Sequence, residues 1–162
     1  MLQLVFIILS IITLGAALAV VTSKNLFHSA LFLILSFVGV AGLYILLEAG
    51  FLAAVQILVY VGAISILIIF AIMLTRRLMA KELVQRNAQW GISGLVAVLL
   101  FALLSFVLLR VNWPVVAGDV SPESISILGQ ELMSTYVAPF EVVSVLLLAA
   151  LVGSIIIARE KE

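Results

Sequence analysis

Long apolar runs separated by short polar stretches set the pattern of this chain. They cover about residues 2–21, 29–47, 51–74, 91–109 and 140–158. Each run is close to the ~20 residues that a helix needs to cross the hydrocarbon core of a bilayer. The pattern predicts an all-α integral membrane protein with five transmembrane helices in one membrane domain, residues 1–162. The first run ends near Ala17-Leu18-Ala19, which resembles a signal-peptide cleavage site. No basic residue precedes it, and it exceeds the ~7–15 apolar residues of a signal core, so it reads as a retained helix.

One run is unlike the others. Gln56-Ile57-Leu58-Val59-Tyr60-Val61-Gly62-Ala63 sets a glutamine, a tyrosine and a glycine inside the third apolar stretch. Polar side chains at membrane depth are costly, and glycine weakens a helix interior, so each needs a reason to be there. Ala53, Gln56, Tyr60 and Ala63 follow helical spacing and predict one stripe facing protein. Gly62 lies beside that stripe, where a helix can loosen, kink or form a π-bulge.

Charge orients the predicted bundle. Lys24, Arg76, Arg77, Lys81, Arg86, Arg159 and Lys161 fall on one side of a five-span arrangement, and Arg110 alone falls on the other. Seven bases against one predict a cytoplasmic C-terminus and an N-terminus outside. The acids Glu48, Asp119, Glu123 and Glu131 collect on the outer side. The short turn at Glu48-Ala49-Gly50 makes helices two and three antiparallel neighbours. In the long loop after helix four, Asn112-Trp113-Pro114 suits an interfacial aromatic followed by a break. Ile125, Leu128 and Leu132 keep helical spacing, which predicts a short helix on the outer surface despite Gly129.

Composition narrows the class further. The chain is 66% hydrophobic and 10% charged, with a mean hydropathy of +1.44, outside the range of soluble domains. The absence of cysteine excludes iron–sulfur clusters, thiolate metal sites and disulfides held by this chain alone. A lone histidine, His28, argues against an all-protein haem or zinc site. Zero net charge argues against nucleic acid. No lysine, arginine or aspartate lies inside a predicted span, whereas an independent ion pump is expected to carry such a group along its pathway. No nucleophile–base pair or metal cluster stands out either.

The candidate residues each have two readings. Glu141, in the predicted first turn of helix five, is either a solvated cap favoured by the helix dipole or a proton-handling or subunit-contact carboxylate. Glu48 has the same two readings nearer the outer water. His28 reads as a cap or a snorkelling side chain of the first cytoplasmic loop. Ser36 and Ser65 are expected to bond to their own backbone carbonyls. Gly15-Ala16-Ala17-Leu18-Ala19 and Gly39-Val40-Ala41-Gly42 supply small faces for close helix contact.

Three tracts carry a family resemblance. Ser23-Lys24-Asn25-Leu26-Phe27-His28-Ser29-Ala30 resembles the T-x-N-P-x-H-A/S-A segment of the J-type membrane subunit of respiratory complex I, with Leu26 where proline is usual. Phe51 to Ile64 resembles that family's F-x-x-x-x-Q/E-x-x-V-Y-x-G-A-I stretch. Pro139-Phe140-Glu141-Val142-Val143-Ser144-Val145-Leu146-Leu147-Leu148 is similar to its last helix. Tract order and span number agree along nearly the whole chain.

The resemblance implies a core membrane subunit of a proton-translocating NADH-quinone oxidoreductase, sited in the plasma membrane of a prokaryote rather than in a thylakoid or organelle. It implies no redox cofactor in this chain, with NADH, FMN, iron–sulfur clusters and quinone used by other subunits. Implied partners are the quinone-site H-type and A-type subunits, the small K-type subunit and the antiporter-like subunits. Tyr60, Val61 and Gly62 would form a conformational switch and water gate built on a π-bulge. Gln56, Glu141 and Glu48 would be proton-path or subunit-contact residues. A passive scaffold subunit of the same or a ferredoxin-dependent complex, and a small antiporter accessory subunit, are the competing readings.

Overall fold

The computed structural model describes residues 1–75, 89–112 and 124–159, and every regular element among them is helical. Five helices are long and apolar enough to cross a membrane: Leu2–Thr22, Leu26–Leu46, Gly50–Thr75, Trp90–Arg110 and Val137–Ala158. The chain divides into two compact units, Met1–Val116 and Ala117–Glu162. The first holds α1 (Leu2–Thr22), α2 (Leu26–Leu46), the third span and α5 (Trp90–Arg110). The third span consists of α3 (Gly50–Val55), a π-helix (Gln56–Ile64) and α4 (Ser65–Thr75). The second unit holds α6 (Ser124–Met133) and α7 (Val137–Ala158). Arg76, Arg77, Lys81, Arg86, Trp113, Pro114, Asp119, Glu123 and Lys161 lie outside the described residues.

The α1–α2 hairpin turns at Ser23. Its side chain accepts the Asn25 N–H at 3.4 Å and donates to the Asn25 carbonyl at 3.2 Å. Asn25 then caps α2, its Oδ1 accepting the Phe27 N–H at 3.0 Å and satisfying one orphan donor of the first turn. This cap starts α2 at Leu26, three residues before the expected 29. His28 therefore lies in the helix rather than in the loop, edge-on to the Phe27 ring at 6.4 Å.

The two helices pack through small residues. Ala16, Ala30 and Ala41 are buried. A Cβ added to Gly39 would collide with the Thr13 hydroxyl and stand 3.3 Å from the Thr13 Cα. One added to Gly42 would meet the Leu9 methyls at 3.0 and 3.2 Å. Such close backbone approach is how helices gain van der Waals contact where lipid offers no hydrophobic drive. Ser36 adds a polar stitch, its hydroxyl donating across to the Thr13 carbonyl of α1 at 3.4 Å. The expected bond to its own helix is not made, because α1 comes near enough to offer a carbonyl. Gly15 meets nothing within 4 Å and plays no part in this contact.

The second turn closes one residue earlier than expected, with Gly50 already opening α3. Glu48 takes the left-handed conformation, φ 58°. Its N–H donates to the Ile45 carbonyl at 3.0 Å and the Ala49 N–H to that of Tyr44 at 2.9 Å. This is the Schellman pattern that ends many helices, with glutamate where glycine is usual. Holding a non-glycine residue there costs roughly 1–2 kcal/mol.

In the second unit, α6 carries Ile125, Leu128 and Leu132 at helical spacing, and Gly129 does not break it. Tyr136 N–H donates to the Glu131 carbonyl at 2.9 Å and reverses the chain into α7. Pro139 is the third residue of α7, where its missing N–H would have had no helical partner. The helix begins at Val137 rather than 140, so Glu141 is its fifth residue and the first turn holds no acid. Glu141 therefore stands beyond the first turn, in which the helix dipole would favour a carboxylate.

Candidate functional site: the widened turn of the third span

The third span changes register as it passes through Gln56–Ile64. At the far end of this π-helix, Ser65 donates its N–H to the Tyr60 carbonyl, five residues back rather than four. The wider turn has a consequence for which side chains face inward. At about 3.6 residues per turn, the nine steps from Gln56 to Ser65 make about two and a half turns, and the two would face opposite ways. At the roughly 4.4 residues per turn that i→i+5 bonding imposes, they make close to two turns and share a face. Both are buried, Gln56 at 6% and Ser65 at 1% exposure.

The expected stripe is redrawn by this geometry. Ala53 and Gln56 face inward, but Ala63 is exposed and Ser65 takes its place. Ser65 bonds its own helix, as expected, with Oγ 2.7 Å from the Tyr60 carbonyl. Serine at 65 was visible in the sequence; its face was not, because regular spacing misplaces every residue beyond a widened turn.

Helix α2 holds the first half of this segment at one residue. Gln56 Nε2 donates to the Phe37 carbonyl at 3.4 Å. The Phe37 ring meets Tyr60 edge-on, centroids 5.5 Å apart and planes at 73°, a favoured aromatic arrangement. A buried amide must be paired to offset its desolvation, and here the pairing ties two helices together. Tyr60 is 42% exposed within the chain, and its hydroxyl has no hydrogen-bond partner among the described residues. Val61 and Gly62 are half-buried. A Cβ on Gly62 would meet only the Ile57 carbonyl, at 3.4 Å, so nothing else within the described residues requires glycine there.

Of the six candidate residues, Gln56, Tyr60, Val61 and Gly62 share the π-helix. Glu48 stands apart in the α2–α3 turn, with its side chain exposed. Glu141 lies in the second unit, also exposed. Phe37 is the residue that sequence reasoning missed. Apolar and in an apolar run, it carries its role in a carbonyl and a ring edge that only the packing reveals.

Five apolar spans with polar groups placed at helix contacts define a multi-pass membrane protein. Residues 16–157 match the family described as NADH-ubiquinone/plastoquinone oxidoreductase chain 6, and the chain belongs to that family. Similar proteins cover nearly all of it. The NAD(P)H-quinone oxidoreductase chain 6 of Synechocystis sp. is 43% identical over 95% of this chain and 79% of its own length. The chloroplastic subunit 6 of Mesostigma viride is 40% identical over 99% of this chain and 85% of its own. The F(420)H(2) dehydrogenase subunit J of Methanosarcina mazei is 40% identical over 96% and 89%. The chain is thus a membrane subunit of a quinone oxidoreductase complex, and its partners are the other subunits of that complex.

Proposed function

We propose that this chain is a core membrane-arm subunit of a proton-translocating complex I-type oxidoreductase, in which the third span couples quinone reduction to proton movement. The π-helix carries this reading, because it sets a phenol, a half-buried glycine and a shifted hydrogen-bond register at one depth. Tyr60 lies ten residues beyond Gly50, ~15 Å along a helix rising ~1.5 Å per residue, near the middle of a ~30 Å core. A regular register there would rotate the residues beyond it and carry apolar side chains such as Val61 into or out of a water path. Tyr60 and Gly62 act as the switch, and Val61 with its apolar neighbours as the gate.

Further assignments follow the family resemblance and the charge pattern. The spans form one membrane domain, with the N-terminus outside, the C-terminus cytoplasmic and α6 on the outer surface. The chain sits in the plasma membrane of a prokaryote. It packs between H-type and A-type quinone-site subunits and the small K-type subunit, with antiporter-like subunits beyond. It carries no redox cofactor; NADH, FMN, iron–sulfur clusters and quinone are used elsewhere in the complex. Similar relatives are named for different donors, NAD(P)H and F(420)H(2), which is in keeping with a donor site outside this chain.

Gln56 is a structural member of the switch, and Glu48 and Glu141 are subunit contacts. Glu141→Gln is expected to lower pumping only partly, about two- to threefold in a proton-flux assay on membrane vesicles, because an exposed carboxylate near a helix end is replaceable. Complete loss with normal assembly would make it an obligatory proton carrier.

A passive scaffold, in which the third span keeps one register throughout, is the competing reading. Purification from native membranes through a tag on this chain tests the assignment as a whole. The expected result is a stoichiometric oxidoreductase complex with quinone-reductase activity. A monodisperse chain that transports ions alone would overturn it.

A further inference from the structure

Ser65 is the most deeply buried polar side chain among the described residues, and its hydrogen bonding sets it apart. Thr13, Thr22, Thr75, Ser134 and Ser144 each donate their hydroxyl to the carbonyl four residues back, and Ser154 to the one three back. These are the ordinary partners of a hydroxyl in an α-helix. Ser65 reaches five back, to Tyr60 at 2.7 Å, and its N–H goes to the same oxygen. Val61, whose carbonyl would receive the Ser65 N–H in a regular helix, receives neither donor.

We propose that Ser65 sets the register of the third span: its hydroxyl and N–H together clasp the Tyr60 carbonyl and hold the widened turn. Its small volume is the second half of the device, since α2 can close over position 65 only when a small residue stands there. Gln56 is fixed to the Phe37 carbonyl, so rewinding Gln56–Ile64 to about 3.6 residues per turn carries Ser65 roughly half a turn away from α2. Leu67, two residues on and so across the helix, now 69% exposed, would turn toward α2 instead. In that register the Ser65 hydroxyl falls back on the Val61 carbonyl, and such i−4 bonding slightly destabilises a helix. The hydroxyl therefore favours the widened form over the regular one. Ser65 is a positioning residue: it acts through the Tyr60 backbone and touches no reacting group. The inference deepens the switch reading, because it names what holds one end of the exchange.

High-resolution structures of the whole resting complex, with particles sorted by the register of the third span, test it. Ser65→Ala removes the hydroxyl and leaves the volume acceptable. It is expected to raise the regular-to-widened ratio about twofold over wild type, less than the roughly fivefold of one whole hydrogen bond, because the regular form also bonds the hydroxyl. Ser65→Thr keeps a hydroxyl and should restore the widened register. Ser65→Ile, too large to be covered by α2, should put most assembled particles in the regular register. Ser65→Ala with the wild-type distribution overturns the proposal, as does Ser65→Ile assembled with the widened turn intact. These outcomes are read in resting enzyme. A wild type that never changes register during turnover would sink the switch and leave the assignment of Ser65 readable.

Discussion

Helix α2 is joined to its two neighbours in opposite ways through adjacent residues. Toward α1 it presents Ser36, Gly39 and Gly42, and the backbones approach until a single added carbon at Gly39 would strike Thr13. Toward the third span it presents Phe37, which offers a carbonyl to Gln56 and a ring edge to Tyr60. The first seam rests on shape, and close-packed shape has few alternatives. The second rests on a few directional bonds to a helix wound off its usual register, and such bonds can be exchanged one carbonyl at a time. The seam with α1 is held by fit, and the seam with the third span by bonds.

The largest effect is expected where the fixed seam is forced open. Gly39→Leu inserts a side chain where no Cβ fits, and overpacking of this kind costs about 1–3 kcal/mol or more. The amount of assembled complex in membranes, measured on native gels, should fall about tenfold or further. Normal assembly would mean that α1 and α2 separate freely, and the contrast between the seams would fail.

Gly62→Leu addresses the other seam. Position 62 has room for a Cβ within the chain, so the subunit should still assemble. Quinone reduction and proton pumping should drop together by about tenfold, the factor that about 1.4 kcal/mol on the exchange supplies. Loss of pumping with full quinone reduction would place Gly62 in the proton path instead.

Tyr60→Phe sharpens the comparison with the smallest expected change. It keeps the ring against Phe37 and removes only a hydroxyl that has no partner among the described residues. Coupled turnover should fall by about threefold, within the range of a single hydrogen bond. A loss as large as that of Gly62→Leu would show that the hydroxyl, not the backbone, carries the coupling.

The two seams were unequally legible in the sequence. Apolar run lengths located five spans to within a few residues, because membrane thickness leaves a helix little choice of length. Helix starts shifted with the local turns: the Asn25 cap starts α2 ahead of its apolar run, and α7, following the turn closed by Tyr136, takes in Val137, Ala138 and Pro139. The glycines of the fixed seam were visible as small-residue faces, though Gly15 proved idle and Gly39 decisive. At the third span, Gln56, Tyr60 and Gly62 stood out as polar or small residues in an apolar run. Which residues face α2 was hidden, because periodicity assumes a constant turn and Gln56–Ile64 does not have one. Phe37 gave no signal, since a backbone carbonyl belongs to every residue type.

The central claim is that the third span exchanges between the widened and the regular register as the complex works. The most direct test traps the wild-type complex at rest and during steady quinone reduction, then compares the backbone of Gln56–Ser65 at high resolution. At rest, the Ser65 N–H should bond to the Tyr60 carbonyl. During turnover, a distinct population should bond to Val61 instead, with the residues beyond it rotated. One unchanged register in every state, together with a Gly62→Leu complex that assembles and pumps normally, would contradict the account and leave the third span a scaffold.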